Sequence, residues 1–141
     1  MRVSILTLDA ALLESTTVMS VQFMSADGEV EIRDQHEAVF GVIESGVIEV
    51  IYVDSHKQFF ATGKGIFHVS EDNTLSLLCD AGVTDTELNE TAIETARTEA
   101  EKYLSTHDKT DVEEYSRVQA ILDLELAKMA VIRRKKNSQI R

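Results

Sequence analysis

The side chains best suited to chemistry are four histidines and one cysteine, and their spacing supports neither a metal site nor a nucleophile. The histidines are scattered along the chain, at His36, His56, His68 and His107. None of them lies in an H-x-H or H-E-x-x-H pattern, the spacings that bring two imidazoles to one metal ion. Cys79 has no base at a recognisable spacing, which favours a buried structural thiol. The sequence therefore predicts no catalytic residue, no metal and no cofactor.

A lysine between two glycines, Gly63-Lys64-Gly65, is the segment that most resembles a phosphate-binding loop. Such a loop needs the longer pattern G-x-x-x-x-G-K-[ST] immediately before a helix. Here Lys64 is followed by Gly65 and then by a predicted strand. A β-bulge or a tight bend is therefore the better interpretation of this segment.

The charge is negative overall and uneven along the chain. A formal net charge of -11 disfavours nonspecific nucleic-acid binding by the whole chain. Residues 128–141 contain no acidic residue and carry about +6, which leaves about -17 on residues 1–127. The basic residues are Lys128, Arg133, Arg134, Lys135, Lys136 and Arg141. Such an end suits either an acidic partner or the favourable position of cations at a helix C-terminus.

Length and composition indicate one ordinary globular domain, or a small domain with an appendage. The chain has 141 residues, of which 43% are hydrophobic, enough to form a core. Cys79 is the single cysteine, so no intramolecular disulfide forms, which fits a reducing compartment. The apolar run before Asp9 is too short for a signal peptide, and no 18-residue apolar span exists. We expect a protein that is cytosolic or peripheral to a membrane.

Residues before Thr84 show the alternation and turn spacing of short β-strands. Turn signals recur about every ten residues, which favours an antiparallel sandwich or barrel over a parallel sheet. No helix of ten or more residues fits in this part. The predicted strands are 3–8, 16–24, 29–33, 39–43, 47–53, 59–61, 66–69 and 74–79.

The last third of the chain predicts two helices that fold back on one another. Two Thr-x-x-Glu segments, Thr84–Glu87 and Thr110–Glu113, match the capping box that begins a helix. The polar residues 105–109 separate them. The fold class is therefore α+β, with an antiparallel β-sandwich or barrel domain over residues 1–83 and an antiparallel helical hairpin with a basic tail over residues 84–141.

The apolar stripes of the two helices are narrow. The first consists of Leu88, Ala92, Ala96 and Ala100, with Ile93, Tyr103 and Leu104 beside them; the second consists of Tyr115, Val118, Leu122, Leu126 and Met129. Alanine buries little area, so a hairpin of this kind gains only about 1 kcal/mol or less for each alanine. The hairpin is therefore either a static appendage or an element that can detach and refold.

Four segments match a known family in order and spacing. Residues 28–36 are GEVEIRDQH, against G-E-[LF]-G-[IV]-x-P-G-H, and Gly46-Val47 follows ten residues later, like the family's P-G-V. Residues 60–69 are FATGKGIFHV, against [YF]-x-x-x-G-G-[FIL]-x-x-V, and residues 74–81 are TLSLLCDA, against V-T-V-L-A-D-x-A. The chain thus resembles the epsilon subunit of F-type ATP synthases, the counterpart of mitochondrial delta. It departs at Glu31, Asp34 and Gln35, where the family has Gly, Pro and Gly, and at Lys64, which is inserted between or replaces part of the double glycine.

The resemblance implies a noncatalytic rotor subunit of a proton- or sodium-translocating ATP synthase. Its sandwich would bind the gamma shaft and rest on the ring of c subunits, through Glu29, Glu31, Arg33 and His36. The hairpin would lie folded on the sandwich or extend into the alpha/beta catalytic head and block ATP hydrolysis. Its contacts with acidic loops there would come from Arg133, Arg134 and Lys135. The resemblance implies a peripheral protein on the cytoplasmic face of the cell membrane, bound to it only through the complex.

Some bacterial members bind ATP through an [IL]-D-x-x-R-A motif, and this chain departs from it. Residues 88–93 are LNETAI, so Asn89 stands for the Asp and Ala92 for the Arg. Because a charge-assisted contact to the nucleotide is lost with the Arg, we predict weak or no ATP binding.

Two other classes of protein remain as alternatives. One is a free-standing β-sandwich binding module whose hairpin is a dimerisation device. The other is a small barrel enzyme, which would need His36, His56 and His68 to converge inside the β domain.

Overall fold

The computed structural model describes residues 1–107 and 111–140. Ten strands come first, then a single 3-10 turn at Asp85–Glu87 and two helices, α1 at Glu90–Thr106 and α2 at Val112–Ile140. The strands are β1 Arg2–Thr7, β2 Ala11–Ser15, β3 Val18–Ser25, β4 Gly28–Arg33, β5 Val39–Ile43, β6 Gly46–Tyr52, β7 Lys57–Thr62, β8 Gly65–Val69, β9 Thr74–Cys79 and β10 Gly82–Thr84. The predicted α+β class is confirmed.

The strands form one continuous sheet that curls around a common core. Their order is β10-β7-β6-β3-β5-β8-β9-β1-β2, and β4 pairs with β3 off this path. The two ends of the order approach each other, since a Cβ at Gly82 of β10 would lie 3.0 Å from Leu12 Cδ1 of β2. Alternate side chains point inward and pack into one buried cluster, which includes Ile5, Val21 and Phe60. The result is a sandwich that is nearly closed into a barrel.

The sheet differs from the prediction in two respects. All pairs are antiparallel except β1 with β9, which is parallel from Arg2–Thr74 to Thr7–Cys79. Strands β2 and β10 were not predicted. Both are short, and β10 has only three residues, which gives no measurable alternation; its pairing with β7 defines it. The last strand ends at Thr84, and the boundary proposed after residue 83 stays a prediction.

The predicted start of the first helix is wrong. Thr84 belongs to β10 and makes no side-chain cap, and α1 begins six residues later at Glu90. The N-cap is Asn89, whose side-chain oxygen accepts a hydrogen bond from the Ala92 N–H at 3.0 Å. Asn caps a helix at least as well as Thr. The local signal for the start of α1 is therefore the side-chain amide of Asn89.

The second helix begins close to the predicted place. The predicted cap residue Thr110, like Asp108 and Lys109 of the predicted break, lies outside the described residues. Asp111 accepts a hydrogen bond from the Glu114 N–H at 3.1 Å, in the manner of an N-cap. The first helix runs through Ser105 to Thr106, so the predicted break began too early.

The two helices are antiparallel, but the predicted stripes are only partly the buried ones. Lys136 pairs with Glu90 at 3.0 Å, which places the end of α2 beside the start of α1. Ile93 and Ala100 of α1 and Val118 of α2 are buried, whereas Ala92 and Leu126 are exposed. The difference arises because α2 packs against two neighbours, α1 and the sheet. A single stripe cannot describe a helix with two buried sides.

Candidate docking surfaces

Three neighbouring strands carry large apolar side chains on the solvent side of the sheet. Phe40 is 82% exposed, Val42 48%, Ile66 57% and Leu78 42%. Val42 of β5 lies opposite Ile66 of β8, which lies opposite Leu78 of β9. These four residues, which we call the apolar stripe, therefore form a contiguous row across three strands.

The strands of the apolar stripe are apolar on both faces. Phe67 and Leu77, the chain neighbours of stripe residues, are buried in the core. A sheet with one face in water normally alternates apolar and polar residues, and contiguous exposed apolar patches mark interaction sites. The sequence carries the signal as consecutive apolar pairs, Ile66-Phe67 and Leu77-Leu78. Sequence reasoning did not assign these residues to a site.

The residues predicted to contact gamma or the c-ring extend along β4 and into the loop that follows it. Glu29, Glu31 and Arg33 are exposed along β4, and the Arg33 Nε lies 3.1 Å from the Glu31 Oε1. Glu29 lies beside the β3–β4 turn, whereas His36 lies in the loop at the other end of β4. Glu29 and Arg33 are already about 13 Å apart at the usual rise of a strand. The set thus spans the length of β4, from the β3–β4 turn to the β4–β5 loop, and its role in binding stays a prediction.

The β4–β5 loop is held by a small polar network around Asp34. Its Oδ1 accepts a hydrogen bond from Asn73 Nδ2 at 2.6 Å and lies 3.0 Å from the Met1 ammonium. Both contacts favour the charged form, so the pKa of the Asp34 carboxyl lies below its usual range. Gln35 has a φ of 65° and donates its N–H to Asn73 Oδ1 at 2.8 Å. These contacts support a left-handed turn residue where the family has Gly.

The end of α2 is packed on the outer face of β6 and β7. Ala127 and Val131 of α2 form a second buried cluster with Val47, Phe59 and Ala61 of the sheet. We call this side of the sheet the covered face. The cluster is small and includes two alanines, so the sandwich and the helix approach closely while burying little area. The hairpin is therefore folded on the sandwich in this structure.

The covered face also contains a charged residue. Glu49 of β6 is 9% exposed, its Oε1 lies 3.1 Å from Lys57 Nζ, and its Oε2 lies 3.8 Å from an Arg134 guanidinium nitrogen. Of the three residues predicted to bind the catalytic head, Arg134 is thus paired with the sandwich. Arg133 is exposed and Lys135 is half-buried. Arg141 lies outside the described residues.

The segment that corresponds to the family's ATP motif is used to begin α1. The amide of Asn89 is committed to the N-cap bond with Ala92. Beside it is a cavity of about 260 Å³, whose lining includes both residues and the pair Glu125–Lys128, joined at 2.9 Å. Among the described residues of that lining the one cation, Lys128, already has a carboxylate partner, and this carboxylate would repel a phosphate. The prediction of weak or no ATP binding is in line with this arrangement and stays a prediction.

The Gly63-Lys64-Gly65 segment connects β7 to β8 and packs against the turn that follows β9. The Gly63 N–H donates to the Ala81 carbonyl at 3.0 Å, and the Asp80 N–H donates to the Lys64 carbonyl at 2.9 Å. A Cβ at Gly65 would collide with the Leu78 carbonyl. Close packing of two backbones therefore accounts for glycine here.

The remaining chemical groups are dispersed. His36 lies in the β4–β5 loop, His56 stacks on Tyr52 after β6, and His68 lies on the exposed side of β8. Within residues 1–107 and 111–140, no three His, Cys, Asp or Glu side chains come close enough to hold a metal ion. Burial raises the pKa of the Cys79 thiol. No helix in the described part of the chain is both long and apolar enough to cross a bilayer.

The chain thus combines a nearly closed β-sandwich that has an exposed apolar row with a helical hairpin on another face. Residues 1–85, more than half of the chain, match the family described as "ATP synthase, Delta/Epsilon chain, beta-sandwich domain". The chain belongs to this family, whose members are noncatalytic subunits of the central stalk. This confirms the resemblance found in the sequence, and it favours a stalk subunit over a free-standing binding module or a barrel enzyme.

Two solved structures share the fold over both parts of the chain. One belongs to the Euglena gracilis mitochondrial ATP synthase, described as OSCP/F1/c-ring in rotational state 1; it is 18% identical, with a TM-score of 0.77, over 92% of this chain and 79% of that one. The other belongs to the central stalk and c-ring of the Tetrahymena thermophila mitochondrial ATP synthase. It is 13% identical, with a TM-score of 0.55, over 85% of this chain and 92% of that one. At these identities the likeness is one of fold.

Proposed function

We propose that this chain couples the gamma shaft to the c-ring in the rotor of an ion-translocating ATP synthase. The apolar stripe is the observation that carries the proposal, because a rotor coupling needs a permanent contact and this surface is uncovered in the free chain. Membership in the delta/epsilon family supports the assignment. The two similar structures come from assemblies that contain a c-ring.

We assign the two ends of the sandwich to different partners. His36 lies in the loop that leads into β5, four residues before Phe40, so it extends the apolar stripe toward the gamma shaft. Glu29 lies at the opposite end of β4, beside the β3–β4 turn, and is assigned to the c-ring. Glu31 and Arg33 lie on the same exposed side of β4 as Glu29 and pair with each other, and we assign them to the same rotor contacts.

The test of the coupling role is binding of the full chain to a gamma–c-ring subcomplex. We expect Ile66→Asp to weaken binding by about tenfold or more, since a central apolar interface residue commonly contributes over 1 kcal/mol. The matched control is Val53→Asp, because Val53 is 65% exposed and lies outside the apolar stripe. Equal binding by both variants would overturn the assignment of the stripe to a rotor contact.

We propose that the hairpin has a second role, as a brake on ATP hydrolysis. Two features support this role. The end of α2 is basic and Arg133 there is exposed, and a small buried cluster packs α2 against the sandwich. The test is ATP hydrolysis by a catalytic head that lacks this subunit. Adding the full chain should slow hydrolysis, and replacing Arg133, Arg134 and Lys135 by Ala should remove that effect, whereas Lys102→Ala on α1 should not. A full chain that binds without slowing hydrolysis would leave only the coupling role.

The proposed location follows from the partners. The subunit would be attached to a membrane only through the complex, on the cytoplasmic face of the cell membrane. Cell fractionation with and without the c-ring tests this: the chain should leave the membrane fraction when the ring is absent.

A further inference from the structure

The basic end of α2 has an acidic partner within the chain itself. The family resemblance implies that Arg134 binds an acidic surface outside this protein, yet its guanidinium lies 3.8 Å from Glu49 Oε2 on the covered face. A single guanidinium cannot occupy both positions. Docking of the helix end and binding of Arg134 to another acidic surface therefore exclude each other.

The position of Glu49 makes a cation from α2 favourable. It is 9% exposed and lies among the apolar residues Val47 and Phe59 of the covered face. A carboxylate removed from water is unfavourable unless it is paired. Lys57 approaches one oxygen at 3.1 Å, and Arg134 approaches the other. Each cation thus supplies part of the compensation.

We infer that Glu49 is an intramolecular competitor that holds the basic end of α2 against the sandwich. This inference rests on the proposed brake, in which acidic loops of the catalytic head take the same basic residues. Those loops have to displace Glu49 before they can bind Arg134. Lys57 weakens the contact, because it shares the carboxylate and repels the guanidinium.

The decisive measurement is hydrogen exchange of the isolated full chain at low ionic strength, comparing amides 127–137 with amides 113–122 of the same helix. Glu49→Gln should speed exchange in 127–137 by about two- to fivefold, the effect expected of a partly exposed ion pair. Lys57→Met should slow this exchange, because Arg134 is then the one cation that remains on Glu49 within the described part of the chain. The difference between Glu49→Gln and the wild type should shrink at about 0.5 M salt.

Three further variants make the result unambiguous. Arg134→Gln should speed exchange in 127–137 as much as Glu49→Gln does. The double variant should exchange no faster than either single variant, since both substitutions remove the same contact. Glu99→Gln removes an equal charge from an exposed position on α1 and should leave 127–137 unchanged. The inference is overturned if Lys57→Met speeds exchange as Glu49→Gln does, or if Glu99→Gln has the effect of Glu49→Gln.

A second arm separates this contact from the brake. Glu49→Gln should inhibit hydrolysis by the catalytic head at a concentration about two- to fivefold lower than the wild type, in keeping with the exchange result. If the wild-type chain does not inhibit at all, the proposed brake fails. The exchange experiment still decides the role of Glu49, because it needs no partner.

Discussion

The sandwich has two apolar surfaces outside its core, of which one is exposed to solvent and the other is covered by a helix. The apolar stripe on β5, β8 and β9 is open, and Phe40 there is 82% exposed. The covered face on β6 and β7 is closed by α2, and Phe59 there is 4% exposed. The same side-chain type thus lies in water on one side of the core and under a helix on the other.

The difference between the surfaces is one of residue size and charge. The covered face pairs Ala61 and Val47 with Ala127 and Val131, and it includes the carboxylate of Glu49. The apolar stripe has larger residues and no charge among its four members. A small cluster with a charged pair suits a contact that opens, because two states then have similar free energies. A wholly apolar row suits a contact that stays closed once it is formed.

The largest expected effect compares the two phenylalanines directly. Phe59→Ala should lower the free energy of unfolding by about 3 kcal/mol, because it leaves a cavity beneath α2. Phe40→Ala should change it by less than about 0.5 kcal/mol in the isolated chain, because the side chain is already in water. Urea unfolding of both variants measures the difference. Similar losses for the two would mean that the apolar stripe is covered in the free protein.

A smaller effect tests how closely α2 fits the covered face. Ala127→Leu should cost about 1–3 kcal/mol, because the added methyl groups have no room between helix and sheet. The neighbouring change Leu126→Ala removes volume from a side chain that is 43% exposed, and it should cost less. Thermal unfolding ranks the two variants. If Leu126→Ala were the more damaging, the buried stripe predicted from the sequence would be the correct one.

The polar network that leads into the apolar stripe should titrate at low pH. The folded-state pKa of Asp34 is lowered, chiefly by the hydrogen bond from Asn73 and then by the Met1 ammonium. Its stabilising contribution is therefore present above the unfolded value of about 3.9 and is lost as pH falls through the folded value. Asp34→Asn should flatten the pH dependence of stability below about pH 4. Asp27→Asn, in the turn at the other end of the sandwich, is the control.

The smallest expected effect concerns nucleotide at the hairpin. Because Asn89 caps α1 and Lys128 is paired with Glu125, millimolar ATP should leave the chemical shifts of α1 and α2 unchanged. The covered face would then be held by packing and ion pairs alone. An affinity in the micromolar range, measured by the same titration, would refute this and add a ligand to the forces that keep the hairpin folded.

Much of the fold was predictable from local pattern. The alternation around Val30 and Ile32 and the turn at Asp27-Gly28 correspond to β4 and the β3–β4 hairpin. Strand β10 could not be predicted in this way, because three residues are too few to show a periodic pattern. The start of α1 was misplaced, since a Thr-x-x-Glu pattern at Thr84 and an Asn at position 89 are both good caps and the pairing of β10 with β7 decided between them.

The sites were less predictable than the fold. The basic residues at the end of α2 were recognised by their charge, but the pairing of Arg134 with Glu49 joins residues 85 positions apart in the chain. Glu49 stands between the apolar pairs Val47-Ile48 and Val50-Ile51, which indicates a strand that is apolar on both faces, but this pattern does not show which cation pairs with it. The apolar stripe could likewise not be predicted as one surface, because the register of three strands brings its residues together.

The sequence by itself determined the class of fold, the two-part order and the family, because periodicity, turn residues and motif spacing act over short distances. The tertiary structure decided which apolar surface is covered. Val47 and Phe59 are closed off by α2, and Phe40 and Ile66 are left open. Local pattern shows that a side chain is apolar and how often such residues recur. It does not show what packs against them, since that depends on where a distant helix lies.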